Sequence, residues 1–181
     1  MISLAIISVG ALGYVKTQVG TLKNISTTMT RTLATLLLQD MTARMQANAA
    51  EFWAGASSGY LSPSPANQAT CYSSTGAFCT SNLMALNDLW EWKGLISSSF
   101  PSAMAAVGLV CLDAGTATLP VVSPTCGTLS VTYPLVFSVK IYWKSTPGAA
   151  TYDQVQVGRV EAPLLRAPGY PYPNNGSAPN T

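Results

Sequence analysis

The chain has 181 residues, which is enough for one domain with a sizeable core. Charged residues make up only 9% of it, and nine Lys and Arg against seven Asp and Glu give a formal net charge of +2; the basic residues are scattered, so nucleic-acid binding is not expected. The chain has no histidine and its acids are sparse, so the many serines lack an evident base, and we expect neither an enzyme nor a cofactor or metal site.

Residues 1–15 carry no charged side chain, and Lys16 is the first charged residue of the chain. A bilayer span needs about 20 apolar residues, whereas a run of about 10 to 14 is more often a buried helix or the core of a signal peptide. The segment lacks a basic start and passes without a break into a helical pattern. We therefore interpret it as an anchor rather than a cleaved signal, with a buried core helix as the alternative.

A helical pattern continues through residues 16–52, where apolar residues recur mostly at steps of three and four. A single helix over residues 1–52 would be about 78 Å long at about 1.5 Å per residue, which no compact domain of this size can bury. The helix residues that we assign to the core are Leu33, Leu37, Met41 and Met45. The predicted regions are a protruding hydrophobic helix at 1–26, a globular head at 27–166 and a Pro/Gly-rich tail at 167–181.

Four cysteines form two local pairs along the chain, and they allow three connectivities. Proximity in the sequence favours the pairs Cys71–Cys79 and Cys111–Cys126. Zinc is the competing interpretation, but the spacing is not that of a CxxC motif and no histidine is present. Disulfides indicate an oxidising compartment such as a periplasm.

A second helix is predicted over residues 82–97, with Ser81 as its cap. Trp90 and Trp92 cannot both face one side of a helix, because residues two apart diverge. One of the two is expected in the core, for which we assign Trp92, and the other against a loop or a partner.

The remainder of the chain is typical of strands. Alternating side chains mark residues 135–144, and Phe137 and Ile141 are assigned to the core. The other candidate strands are residues 105–112, 129–133 and 152–162. One long helix followed by a short helix and consecutive strands predicts an α+β fold.

Several motifs, taken in order, resemble the PilV-type minor pilins of type IV pili. The helix contains LATLLLQDMTARMQAN, the second helix NDLWEW, and the following segments GLVCLDAG, SPTCG and VFSVKIYWKS. The resemblance covers most of the chain up to Ser145. It implies the type IV pilin fold, in which a long N-terminal helix packs on an antiparallel sheet, here with two disulfide-closed loops.

The resemblance also implies a start that this sequence does not display. Mature pilins begin with an N-methylated residue and carry a Glu at the fifth position, whereas the first acid here is Asp40. The apolar start aligns with the family's stretch just after that Glu, so we expect the native mature chain to begin about six residues earlier, after a cleaved leader.

The function that the resemblance implies is that of a structural subunit of the tip complex that initiates pilus assembly. The implied partners are other minor pilins, the major pilin and often a large tip adhesin. The head would lie in the periplasm, with the helix in the bacterial inner membrane, until the subunit moves into the extracellular pilus. The residues expected to pack in membrane and filament are Ile2, Leu4, Ile6, Ile7, Val9, Leu12 and Val15.

Two alternatives remain, and the first of them shares both the anchor and the helix. One is a minor pseudopilin of a type II secretion system, against which the cysteine-bounded loops and the Asp88-Leu89-x-x-Trp92 motif weigh. The other is a membrane-anchored periplasmic binding module, which predicts a ligand pocket near Trp90, Trp92 or Trp143 and needs no filament partners.

Overall fold

The fold is α+β, with one very long helix at its N-terminus. The computed structural model describes residues 2–68, 71, 79–113, 115, 117–129 and 135–161, without the side chains of 2–9, 12 and 23. The elements are α1 (Ile2–Ala47), α2 (Ala50–Trp53) and α3 (Ser81–Ser99), the strands β1 (Val107–Cys111), β2 (Val136–Trp143) and β3 (Gln154–Glu161), and short 3-10 turns at Gly55–Ser57, Gly59–Leu61 and Ser102–Met104.

Helix α1 has 46 residues, which corresponds to about 69 Å of helix. The predicted continuous helix to Phe52 is wrong in its last turn, because the chain leaves the helix at Asn48 and re-enters it as α2. The Asn48 side chain donates a hydrogen bond to the Ser81 carbonyl over 2.8 Å. Asparagine favours turns because its side chain competes for such local and backbone partners, so this residue both ends α1 and joins it to the start of α3.

The second half of α1 packs on the sheet and on α3. Its buried side chains include Leu37, Met41 and Met45, while Leu33 is partly buried against the same core. Gly158 of β3 lies under this helix, and a Cβ there would stand in ordinary contact with Leu38, 3.8 Å away. Leu38 of α1 therefore lies over β3 at this position.

The sheet has three antiparallel strands in the order β1-β2-β3. In the central strand β2, Phe137, Val139, Ile141 and Trp143 belong to the helix-side core. The intervening residues face the opposite side, because side chains alternate along a strand. On that side Ser138 and Lys140 are also fully buried, so both faces of β2 are covered.

Helix α3 crosses β1 at Gly108. A Cβ at this position would lie 2.4 Å from Ile96 Cδ1 and 2.5 Å from Trp92 Cζ3. Only glycine at position 108 therefore allows the indole of Trp92 to pack this closely against the strand. Trp92 is fully buried, whereas Trp90 is 45% exposed, so the two tryptophans do diverge.

The predicted elements differ from the observed ones mainly at their ends. Thr80, not Ser81, caps α3, because its hydroxyl accepts from the Leu83 amide while Ser81 is already helical. The predicted strands at 105–112, 135–144 and 152–162 correspond to β1, β2 and β3. Leu129 lies outside any strand, and residues 130–133 of the remaining predicted strand, like the predicted tail at 167–181, lie outside the described residues.

Candidate assembly surface

The N-terminal part of α1 projects from the head. From Gly10 to Met29 every residue whose side chain is described is exposed. Large apolar side chains on this part and just beyond it are more than half exposed to solvent. We define the α1 stripe as Val15, Val19, Leu22, Ile25, Met29 and Leu36.

The α1 stripe has the spacing of a helix-packing seam. Val15, Leu22, Met29 and Leu36 recur every seven residues, and Ile25 lies midway between two of them. A repeat of 3.5 residues per turn keeps such side chains on one face of a helix that packs lengthwise against another helix. The α1 stripe is therefore suited to helical partners that run along α1.

The threonines of α1 are also compatible with an apolar environment. The hydroxyls of Thr21, Thr28 and Thr32 donate to backbone carbonyls four residues earlier, over 2.9–3.0 Å. Thr30 and Thr35 donate in the same way, and the Thr17 hydroxyl donates to the Tyr14 carbonyl three residues earlier over 2.7 Å. These donors are already paired, so burial of the helix would not leave them without a hydrogen bond.

The charges of α1 are unevenly distributed. Before Asp40 the helix carries Lys16, Lys23 and Arg31 and no acid. Arg31 Nη2 donates to Gln154 Oε1 over 3.1 Å, which joins α1 to the start of β3 where the helix leaves the head. Asp40 accepts from Arg44 Nε over 3.1 Å within α1.

A cluster of charged side chains and one tryptophan joins α1 to α3; we call Arg44, Asp88, Glu91 and Trp92 the α1–α3 clamp. Arg44 Nη1 lies 2.8 Å from Glu91 Oε2 and 3.3 Å from Asp88 Oδ1. Trp92 Nε1 donates to the Leu37 carbonyl over 2.8 Å. The two outer residues of the Asp88-Leu89-x-x-Trp92 motif thus both bond to α1, and they fix the angle at which the helix projects.

Burial sets the protonation behaviour of this clamp. It raises the pKa of Asp88, against the opposing effects of the Tyr60 hydroxyl and of Arg44. It also raises the pKa of Tyr60 far above its usual range; the Tyr60 hydroxyl donates to Asp88 Oδ2 over 3.0 Å. Burial alone would lower the pKa of Arg44, but the hydrogen bond to Glu91 and the nearby carboxylates raise it, so Arg44 stays charged.

On the other sheet face, Asp113 fastens the loop that follows β1. Its carboxylate accepts from Lys140 Nζ over 2.7 Å, from Ser138 Oγ over 2.5 Å and from the amides of Gly115 and Gly127, each over 2.7 Å. Sequence reasoning missed this buried group. The available signal was a lysine in the middle of an otherwise apolar strand, which needs an acid if that face is covered.

Two disulfides close loops of the head. Cys111 pairs with Cys126 at a Cα–Cα distance of 5.4 Å, and Cys71 pairs with Cys79 at 4.8 Å. The expectation of disulfides is confirmed. Cys111 is two residues before Asp113 in the chain. The loop that follows β1 is therefore held both by the Cys111–Cys126 disulfide and by the buried ion pair of Asp113 with Lys140.

The residues expected to pack in a membrane or filament are only partly described. The side chains of Ile2, Leu4, Ile6, Ile7, Val9 and Leu12 lie outside the described part, whereas Val15 is 54% exposed. Within the residues that the structure describes, no helix combines the length and the apolar character of a membrane span. The assigned core residues Trp92, Phe137 and Ile141 are fully buried.

A small pocket lies in the angle between the projecting helix and the sheet. It has a volume of ≈ 230 Å³, and its lining includes Thr30, Arg31, Trp143 and Gln154. Arg31 already uses one donor inside it.

The chain matches no protein-family model, no curated protein and no solved structure.

Proposed function

We propose that the protein is a minor pilin of the PilV type, a non-catalytic subunit of the complex that primes a type IV pilus and occupies its tip. The observation that carries this proposal is the division of α1. Its second half is packed on an antiparallel sheet, while its first half projects with an exposed, heptad-spaced α1 stripe. The resemblance of the sequence motifs to pilins implies a long helix with a head at one end, so this division of α1 supports the proposal.

Assembly would proceed by packing of helices. A large aliphatic side chain moved from water into an apolar environment contributes about 1.5–3 kcal/mol, so the six residues of the α1 stripe favour an apolar environment, whether lipid or helical neighbours. The paired threonine hydroxyls remove a polar penalty that would oppose it. In this proposal the helix lies in the inner membrane before assembly and then exchanges lipid for other subunits.

The head would form the contacts that place the subunit at the tip. The loop after β1 is fastened by Asp113 and by Cys111–Cys126, yet it exposes Val122, Leu119 and Leu129. A rigid loop with exposed apolar side chains is suited to neighbouring pilin heads or to a tip adhesin. The proposed partners are other minor pilins, the major pilin and such an adhesin.

The proposal is tested by deletion of the gene and counting of surface pili. The gene is then restored, and the protein is sought in sheared filaments by immunodetection. We expect few or no pili on deletion, and the restored chain in the filament fraction. Normal piliation with loss of a secreted enzyme would instead identify a type II pseudopilin. N-terminal mass analysis of the native protein adds a separate check, since an N-methylated start before Met1 is expected.

The second candidate, a membrane-anchored binding module, has one observation in its favour, the ≈ 230 Å³ pocket beside Trp143. Its test is the fluorescence of the full chain titrated with periplasmic small-molecule extracts, with Trp143→Phe as the variant. A saturable change that the variant abolishes, in cells with normal pili, would favour binding over assembly.

A further inference from the structure

A small cavity lies on the face of the sheet away from α1, between strand β2 and the loop that follows β1. Its lining includes Thr118, Val121, Thr125, Thr128 and Tyr142. Its volume is ≈ 190 Å³, below the range of about 300–1,000 Å³ that is usual for drug-sized ligands. The cavity therefore has room for one small chemical group.

Tyr142 contributes a buried hydroxyl without a partner to this cavity. The residue is only 2% exposed, and within the part of the chain that the structure describes its hydroxyl makes no hydrogen bond. Burial and the nearby Asp113 carboxylate raise the pKa of Tyr142, so the hydroxyl keeps its proton. A buried hydroxyl that lacks a partner costs stability. The position is therefore suited to an acceptor that comes from outside the chain.

Three threonines border the same cavity with hydroxyls that form no hydrogen bond to other described residues. They are Thr118, Thr125 and Thr128, and all three are exposed. Because a hydroxyl both donates and accepts, these residues and Tyr142 together present four neutral groups of the same kind. The described lining residues include no Lys, Arg, Asp or Glu, so a charged ligand would find no counter-charge there.

The walls of the cavity are held in place by contacts of the head itself. The loop is closed by Cys111–Cys126, and Val121 exchanges two backbone hydrogen bonds with Tyr152, over 2.7 and 3.0 Å. The ring of Tyr152 in turn contacts the ring of Tyr142 edge-on, with the centroids 6.5 Å apart. A preformed site loses less free energy through ordering when it binds, so a few hydrogen bonds give measurable affinity.

We propose that this cavity binds a single neutral sugar residue, whose hydroxyls pair with Tyr142 and with the three threonines. A sugar ring carries hydroxyls around its edge and C–H groups on its faces, so it matches the four hydroxyls and the apolar Val121 in one small space. An Asn or Gln amide of a partner protein offers only two polar atoms, which reach fewer of the four groups. The site belongs to the head and does not involve α1, so this inference goes beyond the proposed function.

The test titrates the full chain, in a detergent without a sugar headgroup, with free monosaccharides and follows the sugar signals by saturation-transfer NMR. The probes are glucose, galactose, mannose and N-acetylglucosamine, with sialic acid and acetamide as the charged and the amide comparison. We expect saturable binding of at least one neutral sugar with a Kd of about 1 mM, as a few net hydrogen bonds allow, and weaker binding of both comparison compounds.

Tyr142→Phe removes the hydroxyl and keeps the ring, so it should weaken this binding about fivefold to tenfold, the usual effect of one hydrogen bond. Tyr152→Phe is the matched control, because Tyr152 contacts the ring of Tyr142 but is not among the residues that line the cavity. It should bind as the native chain does.

Thermal unfolding distinguishes a binding role of the Tyr142 hydroxyl from a structural one. Because this hydroxyl has no hydrogen bond to lose among the described residues, Tyr142→Phe should unfold at the same or a slightly higher temperature. A lower unfolding temperature, no saturable signal from any neutral sugar, equal binding by Tyr142→Phe, or a preference for sialic acid or acetamide would each overturn the inference. The proposed function is decided separately, by piliation and by the presence of the protein in filaments.

Discussion

At the scale of single residues, Trp92 shows how a side chain serves both packing and orientation. Its ring is fully buried against Gly108, and its Nε1 donates to the Leu37 carbonyl of α1. Replacement by Phe keeps most of the apolar contact but removes the donor. Trp92 is therefore a core residue that also joins α3 to the projecting helix through its hydrogen bond.

We expect Trp92→Phe to lower the free energy of unfolding by about 1–2 kcal/mol, the usual range for a lost buried hydrogen bond together with a small cavity. Urea unfolding measures this, with Trp90→Phe as the matched control, because Trp90 is 45% exposed and should change stability by less than about 0.5 kcal/mol. Equal losses in the two variants would contradict the assigned division of roles.

The buried ion pair of Lys140 and Asp113 is the most sensitive polar contact of the head. Both side chains are essentially inaccessible, at 0% and 1%. Lys140→Met leaves the Asp113 charge without its lysine, so we expect a loss of about 3–5 kcal/mol in unfolding free energy. The double variant Lys140→Met/Asp113→Leu should lose less than the sum of the two single changes in a double-mutant cycle; strict additivity would show that the pair is not coupled.

Asp113 also gives the head a dependence on acid. Burial would raise the pKa of its carboxyl, but Lys140, Ser138 and the Gly115 and Gly127 amides together hold that pKa below the usual value. A depressed folded pKa means that the stabilisation is complete above the unfolded value of about 4 and declines as pH falls through the folded pKa. Unfolding midpoints measured from pH 7 to 2 should fall more steeply for the native chain than for Asp113→Asn; parallel curves would assign the acid sensitivity elsewhere.

At the scale of elements, the crossing of α3 over β1 depends on a missing side chain. A methyl group at Gly108 would overlap Ile96 and Trp92, whereas Gly94 of α3 has nothing within 4 Å. We expect Gly108→Ala to destabilise by about 1–3 kcal/mol through overpacking. Gly94→Ala should stabilise by up to about 1 kcal/mol, because alanine is the better helix former. Thermal unfolding of the two variants should show shifts of opposite sign; a shift of the same sign in both would mean that α3 can move away from the strand.

The elements themselves were predictable because each carries its own periodicity. Alternation in β2 and three- and four-residue steps in α1 appear directly in the sequence. The break at Asn48 was not predictable, since it depends on a bond to Ser81 that is remote in sequence. The cap of α3 was misplaced by one residue because Thr80 and Ser81 are both favoured capping residues, and the backbone geometry decides between them.

The candidate surface was predictable in part for a similar reason. The length of the apolar pattern required that much of α1 leave the head, and in the structure every described side chain from Gly10 to Met29 is exposed. The pairing of Lys140 with Asp113 could not be derived, because it joins residues 27 positions apart through a loop whose path the pattern does not define.

At the scale of the whole molecule, the head should be independent of the projecting helix. A chain starting at Thr27 keeps the described core, whose first fully buried residue is Ala34. We expect it to fold under oxidising conditions, to be monomeric by light scattering, and to unfold at a temperature close to that of the full chain in detergent. Wholesale aggregation of the shortened chain would contradict the division into helix and head.

The α1–α3 clamp determines how the molecule carries mechanical load. A pulling force applied along α1 reaches the head through contacts that lie side by side along the helix, from Ala34 to Arg44. These contacts are therefore loaded in shear, and they must break together rather than one at a time. Beyond them, the bond between Cys111 and Cys126 limits how far the chain can extend after the sheet yields. The same contacts that orient the helix thereby resist its separation from the head.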